Sequence, residues 1–140
     1  HHNREAIKGA KTVATCVFLA RKQEDKDSIK RTIEKMYGYR FQPLDEIRRD
    51  YVFDSRASYS VPPALEAFFE SDSYEGAIRK AISIGGDSDT IACITGGIAE
   101  AYYRDNLSRA SSIFLMRSAF SAAGISALAC SLLFSRNSSS

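Results

Sequence analysis

Asp87, Ser88, Asp89 and Thr90 follow directly on Gly85 and Gly86, and this GGDSDT run is where the sequence gathers its oxygen donors. Two carboxylates and a hydroxyl form an all-oxygen set, suited to a hard cation such as magnesium or calcium and ill suited to zinc. Residues two apart point to different sides of a regular helix. Asp87 and Asp89 therefore converge only if Asp87 lies in the preceding turn while Asp89 and Thr90 open the helix. The paired glycines supply the backbone freedom for that. The same residues also make an ordinary helix start, because Asp or Ser at the N-cap and an acid in the first turn stabilise any helix. Spacing alone favours the cap.

The element that must hold these donors begins at Ser88 and runs to Tyr103. From Ile91 onward it is apolar almost all round, with Thr95 and Glu100 the clear polar exceptions, and a helix without a polar face is a buried one. Gly96 and Gly97 sit inside it at a cost of about 1 kcal/mol each relative to alanine. The adjacent pair predicts that a neighbouring helix or a ligand comes close to this backbone.

The rest of the chain also reads as helices. Arg4 to Arg21 places Ala6, Ala10, Val13, Ala14, Val17 and Phe18 along one stripe, which predicts its buried face. RKQEDKD is a solvated connection. Asp27 is expected to cap a helix carrying Ile29, Ile33 and Met36, which Gly38 ends. Pro43 starts a short turn or helix, PLDEIRRDY, and FDSRASYS reads as loop. Pro62 and Pro63 suit a helix opening, with Ala64, Leu65, Phe68 and Phe69 as its apolar side. Ser73 caps the next helix, with Ala77, Ile78, Ala81 and Ile82 facing inwards. Neither an alternating strand pattern nor a repeat appears. The predicted class is all-α.

Composition sets the broad limits. The 140 residues carry 44% apolar and 26% charged side chains and a net charge of +2. That is an ordinary globular chain with a modest core and no electrostatic reason to expect nucleic acid. Cys16, Cys93 and Cys130 cannot all pair and lack metal spacing, so buried free thiols in a reducing, cytoplasmic setting are expected. The N-terminus shows no basic-then-apolar leader.

GGDSDTIACITGGIAEAYY is similar to the C-terminal signature of the ADP-ribosylglycohydrolase family, in which a Gly-Gly-Asp-x-Asp-Thr run opens a buried helix. HHNREAIKGAKTVATCVFLAR, SVPPALEAFFES and SYEGAIRKAISIGGDSDT match it in the same order. The resemblance covers residues 1–103 and corresponds to the C-terminal half of such a protein. The family's Thr-Asp-Asp run, expected near the front of a full chain, does not occur here.

The resemblance implies a compact orthogonal helical domain and a hydrolase that removes ADP-ribose from a modified side chain or small acceptor. It implies two magnesium ions in the complete site, with Asp87, Asp89 and Thr90 as metal ligands. His1, Gly85 and Gly86 are the residues it sets against the substrate, although Asn3, Arg4 and Ala6 depart from the family pattern around His1. The catalytic acid is expected in the N-terminal half. An ADP-ribose-binding module without turnover and an inactive structural remnant are the alternatives. Tyr37, Tyr39 and Phe41 have the ring chemistry to stack on adenine, but rings in a short helical domain serve equally as core, and they receive no role.

Residue 104 marks a change of composition. The 37 residues from there carry one acid, Asp105, with four arginines, no lysine and 11 serines. Residues 118–134, SAFSAAGISALACSLLF, form an uncharged run slightly short of the ~20 residues a membrane span needs. A helix docked on an exposed face of the domain is the expected fate. Self-association through an uncovered apolar face is the alternative to such cover.

Overall fold

A computed structural model describes residues 2–51 and 57–104. Among these the chain forms six helices and no strand: α1 (His2–Arg21), α2 (Lys26–Tyr37), α3 (Leu44–Asp50), α4 (Ala57–Phe69), α5 (Tyr74–Ser83) and α6 (Ser88–Tyr103). The all-α expectation holds. α6 is the hub, packing against α1, α4 and α5. It buries Ile91, Ala92, Thr95, Gly96, Ile98, Ala99, Ala101 and Tyr103, and full burial of each isoleucine contributes roughly 1.5–3 kcal/mol.

Two apolar clusters divide the work. The larger joins Cys16 and Ala20 of α1, Ile29 and Ile33 of α2, Leu65 and Phe68 of α4, and Ile98 to Tyr103 at the far end of α6. The smaller lies under the start of α6, where Leu44, Ala64, Ala67, Ala81 and Ile84 pack on Ile91 and Ala92. The buried Thr95 hydroxyl donates to Ala64 O across 2.8 Å, tying α6 to α4. The smaller cluster fixes where the GGDSDT turn stands.

Several helix ends follow local rules. Ser73 accepts the Gly76 N–H at 3.0 Å. Gly38 closes α2 in the left-handed region, φ +72°, and its N–H bonds Glu34 O at 2.9 Å. α3 begins after Pro43, which has no capping side chain. Glu70 of α4 serves instead, accepting the Leu44 N–H at 2.9 Å. At the other end of the larger cluster, Lys26 bonds Ser71 O and Tyr103 Oη, and its ammonium lies 5.0–5.3 Å from the ring centroids of Phe68, Tyr102 and Tyr103.

Five expectations need correction. The α2 cap is Asp25, not Asp27: its carboxylate accepts the Ser28 N–H at 2.8 Å, so Asp27 falls in the first turn. α4 runs from Ala57 and carries both prolines inside, with Ser60 and Val61 buried in the turn before them. Residues 57–60 are therefore helical where loop is expected. Met36 and Ile82 are 59% and 53% exposed, each at the edge of its helix's buried stripe. α1 buries Gly9, Thr12, Cys16 and Ala20 and leaves Ala10, Ala14 and Phe18 outside. Thr12 can be buried there because its hydroxyl donates to Lys8 O at 2.8 Å. Gly96 receives α5 closely, with Ile78 Cδ1 at 3.1 Å from where a Cβ would stand, whereas nothing approaches Gly97.

Candidate functional site

The turn before α6 is built by two consecutive residues in the left-handed region. Gly85 has φ +82° and Gly86 φ +62°, conformations that cost an L side chain about 1–2 kcal/mol. Gly86 carries a second constraint. A Cβ there would fall 2.2 Å from Cε1 of Tyr51, the residue that ends α3. The tyrosine ring thus occupies the space a side chain at residue 86 would need.

This turn delivers Asp87 to the N-cap position with φ −78° and ψ 57°. Its carbonyl accepts the Ile91 N–H at 3.2 Å, but its carboxylate makes no capping hydrogen bond. Asp89 and Thr90 stand in the first turn. Asp89 is exposed, and Asp87 and Thr90 are half-buried. The three oxygen donors therefore stand at one helix start, with Asp87 at the N-cap but without a side-chain capping bond and Asp89 as the acid of the first turn. No group of three or more His, Cys, Asp or Glu side chains with metal-binding placement occurs among the described residues.

The donor chemistry suits magnesium. Carboxylates and a hydroxyl are its preferred partners, and three such oxygens fill about half of an octahedral shell. The positive end of the α6 dipole opposes a cation at this point, so both carboxylates are needed to offset it. Asp87, Asp89 and Thr90 would hold such an ion from one side.

Beside the turn lies a cavity of about 230 Å³, and Tyr51 belongs to both. Phe41, Tyr51, Tyr59, Pro62 and Pro63 give it flat apolar walls, while Arg40, Gln42 and Asp50 add polar edges. Phe41 is braced edge-on by Phe69, with ring centroids 5.2 Å apart. Sequence reasoning missed Tyr51 and Tyr59, since the cavity draws on the segment before α3, the end of α3 and the start of α4, which no single helical spacing links. Of the three rings left without a role, Phe41 lines the cavity. Tyr37 bonds Thr15 Oγ1 at 2.8 Å, and Tyr39 packs on the core.

His1 lies outside the described residues, as do Cys130 and the whole of residues 105–140. Cys16 and Cys93 are free thiols. Burial pushes Cys16 up to about 12 and Cys93 up to about 11, so both are inert at neutral pH.

The ADP-ribosylglycohydrolase family model matches residues 1–110. With the helical fold and the GGDSDT turn, this places the chain in the ADP-ribosylglycohydrolase family. No curated protein and no solved structure matches it. No helix among the described residues is long and apolar enough to cross a membrane.

Proposed function

We propose that this chain supplies one side of an ADP-ribosyl hydrolase site, acting on an ADP-ribosylated side chain or small acceptor. The observation that carries the reading is the Gly85–Gly86 turn, which presents the Asp87 carboxylate free of capping at the start of α6. Asp87, Asp89 and Thr90 hold the divalent cation side of the site. Gly85, with nothing within 4 Å of where a Cβ would stand, leaves its backbone open to the ribose, while Gly86 gives its side-chain space to the Tyr51 ring. The neighbouring cavity presents the rings of Phe41, Tyr51 and Tyr59, surfaces on which a flat base stacks, which supports its use by the nucleotide part.

Magnesium held by Asp87, Asp89 and Thr90 would supply positive charge for orienting the ribose and a water. Hydrolysis then joins the water oxygen to the anomeric carbon and breaks the bond to the acceptor, which leaves with a proton. Asp87, Asp89 and Thr90 act by positioning. None of them is the general acid, and that residue belongs with the N-terminal half of the family site.

A second reading is ADP-ribose binding without turnover, favoured by the lack of a third acidic group beside Asp87 and Asp89 among the described residues. Calorimetry with ADP-ribose, with and without magnesium, tests the shared part: magnesium-dependent binding is expected, and its absence removes both readings. Free ADP-ribose released from ADP-ribosylated arginine or serine peptides separates them. Little or no turnover is expected from the 140-residue chain alone. Turnover abolished by Asp87→Ala would show that this chain completes the site by itself or through a second copy.

A further inference from the structure

The backbone of the Gly85–Gly86 turn does little to fix itself. The Ile84 N–H reaches Ala81 O at 3.3 Å and the Gly85 N–H reaches Ile82 O at 3.2 Å, both at the long end of the range for such bonds. Nothing lies within 4 Å of a Cβ at Gly85, and the Asp87 carboxylate makes no capping bond. α3 grips the turn from outside. Arg48 donates to Ser83 Oγ from Nε at 3.0 Å and from Nη2 at 2.7 Å, and Ser83 is the last residue of α5. The Ser83 hydroxyl donates in turn to Lys80 O at 2.7 Å. A hydroxyl has one proton and two lone pairs, so these three bonds use all that Ser83 offers. Arg48 Nη1 meets Asp45 Oδ1 at 2.6 Å, which orients the guanidinium from within α3. Three residues further on, the Tyr51 ring fills the space beside Gly86. The pairs 48–83 and 51–86 share one offset of 35 positions, so α3 meets the chain on entry to the turn and again inside it.

We propose that Arg48 is a positioning residue for the carboxylates: acting through Ser83, it fixes the Gly85–Gly86 turn and so sets where Asp87 and Asp89 stand. The inference rests on the reading that those two hold a divalent cation. The ion pair with Asp45 is exposed and contributes little by itself. What matters is the convergence of two N–H groups on one oxygen, which the single ammonium of a lysine does not reproduce. The sign of the effect separates positioning from simple charge. An arginine acting only as a nearby positive charge would repel the cation, and its removal would tighten magnesium binding. Removal of a positioning arginine does the opposite, because the carboxylates then no longer share one fixed arrangement.

The test uses the complete 140-residue chain with magnesium alone. Arg48→Ala, Arg48→Lys and Ser83→Ala should each weaken magnesium binding, read by calorimetry, on the order of fivefold. The double variant of Arg48→Ala with Ser83→Ala should lose no more than either alone, because both changes break the same contact. Ser83→Thr keeps the hydroxyl and should match the parent. Arg49→Ala removes the same charge from an exposed neighbour on α3 and should leave the affinity no weaker. Amide exchange adds a readout that needs no metal. Ile84, Gly85 and Ile91, whose N–H groups bond at the turn, should exchange several-fold faster in Arg48→Ala, with Gly38 and Ile98 unchanged. Magnesium binding that is unchanged or tighter in Arg48→Ala would overturn the proposal, as would additive losses in the double variant or unchanged exchange at Ile84 and Gly85. A parent chain that binds no magnesium would remove the cation reading of the site, while exchange at those amides would still decide whether Arg48 fixes the turn.

Discussion

The ring of Tyr51 fills the space where Gly86 lacks a side chain, with Cε1 only 2.2 Å from the position a Cβ would take. Through this contact the end of α3 braces the turn that opens α6. The same ring lines the neighbouring cavity, so Tyr51 is common to the cavity and the turn.

Gly86→Ala and Gly85→Ala should therefore differ. Both place an alanine in the left-handed region, at a backbone cost of about 1 kcal/mol or more. Only Gly86→Ala must also displace the Tyr51 ring, since nothing lies within 4 Å of a Cβ at Gly85. Urea denaturation should show Gly86→Ala as clearly the less stable. Equal losses would mean that the ring moves aside freely.

Asp89→Asn should remove magnesium binding and leave the helix folded. Asp89 is exposed, and Asn remains acceptable at a helix start. Calorimetry reads the metal and circular dichroism reads the fold. Magnesium affinity that survives the change would return these residues to an ordinary helix start.

Glu66 is 3% exposed, with Lys30 Nζ 3.3 Å from its Oε2. Burial pushes its carboxyl above the usual carboxylate range, the Lys30 ammonium pulls it back down, and neighbouring Glu70 pushes it up again. A carboxyl raised in the folded state binds more protons there than in the unfolded chain. Its contribution is thus fully present below the unfolded pKa and is lost as pH rises through the folded one. Glu66→Gln should remove that loss, making the variant relatively more stable at neutral pH than at pH 4 when each is compared with the parent chain. Denaturation midpoints across pH 4 to 8 check the sign, and a parallel shift at every pH would contradict it.

Ile91 is fully buried in the smaller cluster, in the first turns of α6 after Asp89 and Thr90. Ile91→Ala should cost about 2–5 kcal/mol and loosen the start of α6. Amide exchange in the parent chain should be slowest along Ile91 to Ala101, and the variant should speed it from the N-terminal end. Uniformly fast exchange along α6 in the parent would count against its place as the hub.

What the sequence by itself determined is local. The extent of α6 from Ser88 to Tyr103, the Ser73 cap and the Gly38 stop each rest on a few neighbouring residues and need no tertiary partner. The GGDSDT run and the family resemblance were legible for the same reason. Tertiary structure decided what local pattern leaves degenerate. Asp25 and Asp27 are both competent caps, and which one serves depends on where α2 must begin for Ile29 and Ile33 to reach the core. α1 is apolar over so wide an arc that periodicity offers several burial faces, and packing against α6 selects the one centred on Cys16. The Tyr51–Gly86 contact joins residues 35 positions apart. It exists only because the smaller cluster draws α3 and the start of α6 together, and no spacing rule along a single helix contains it.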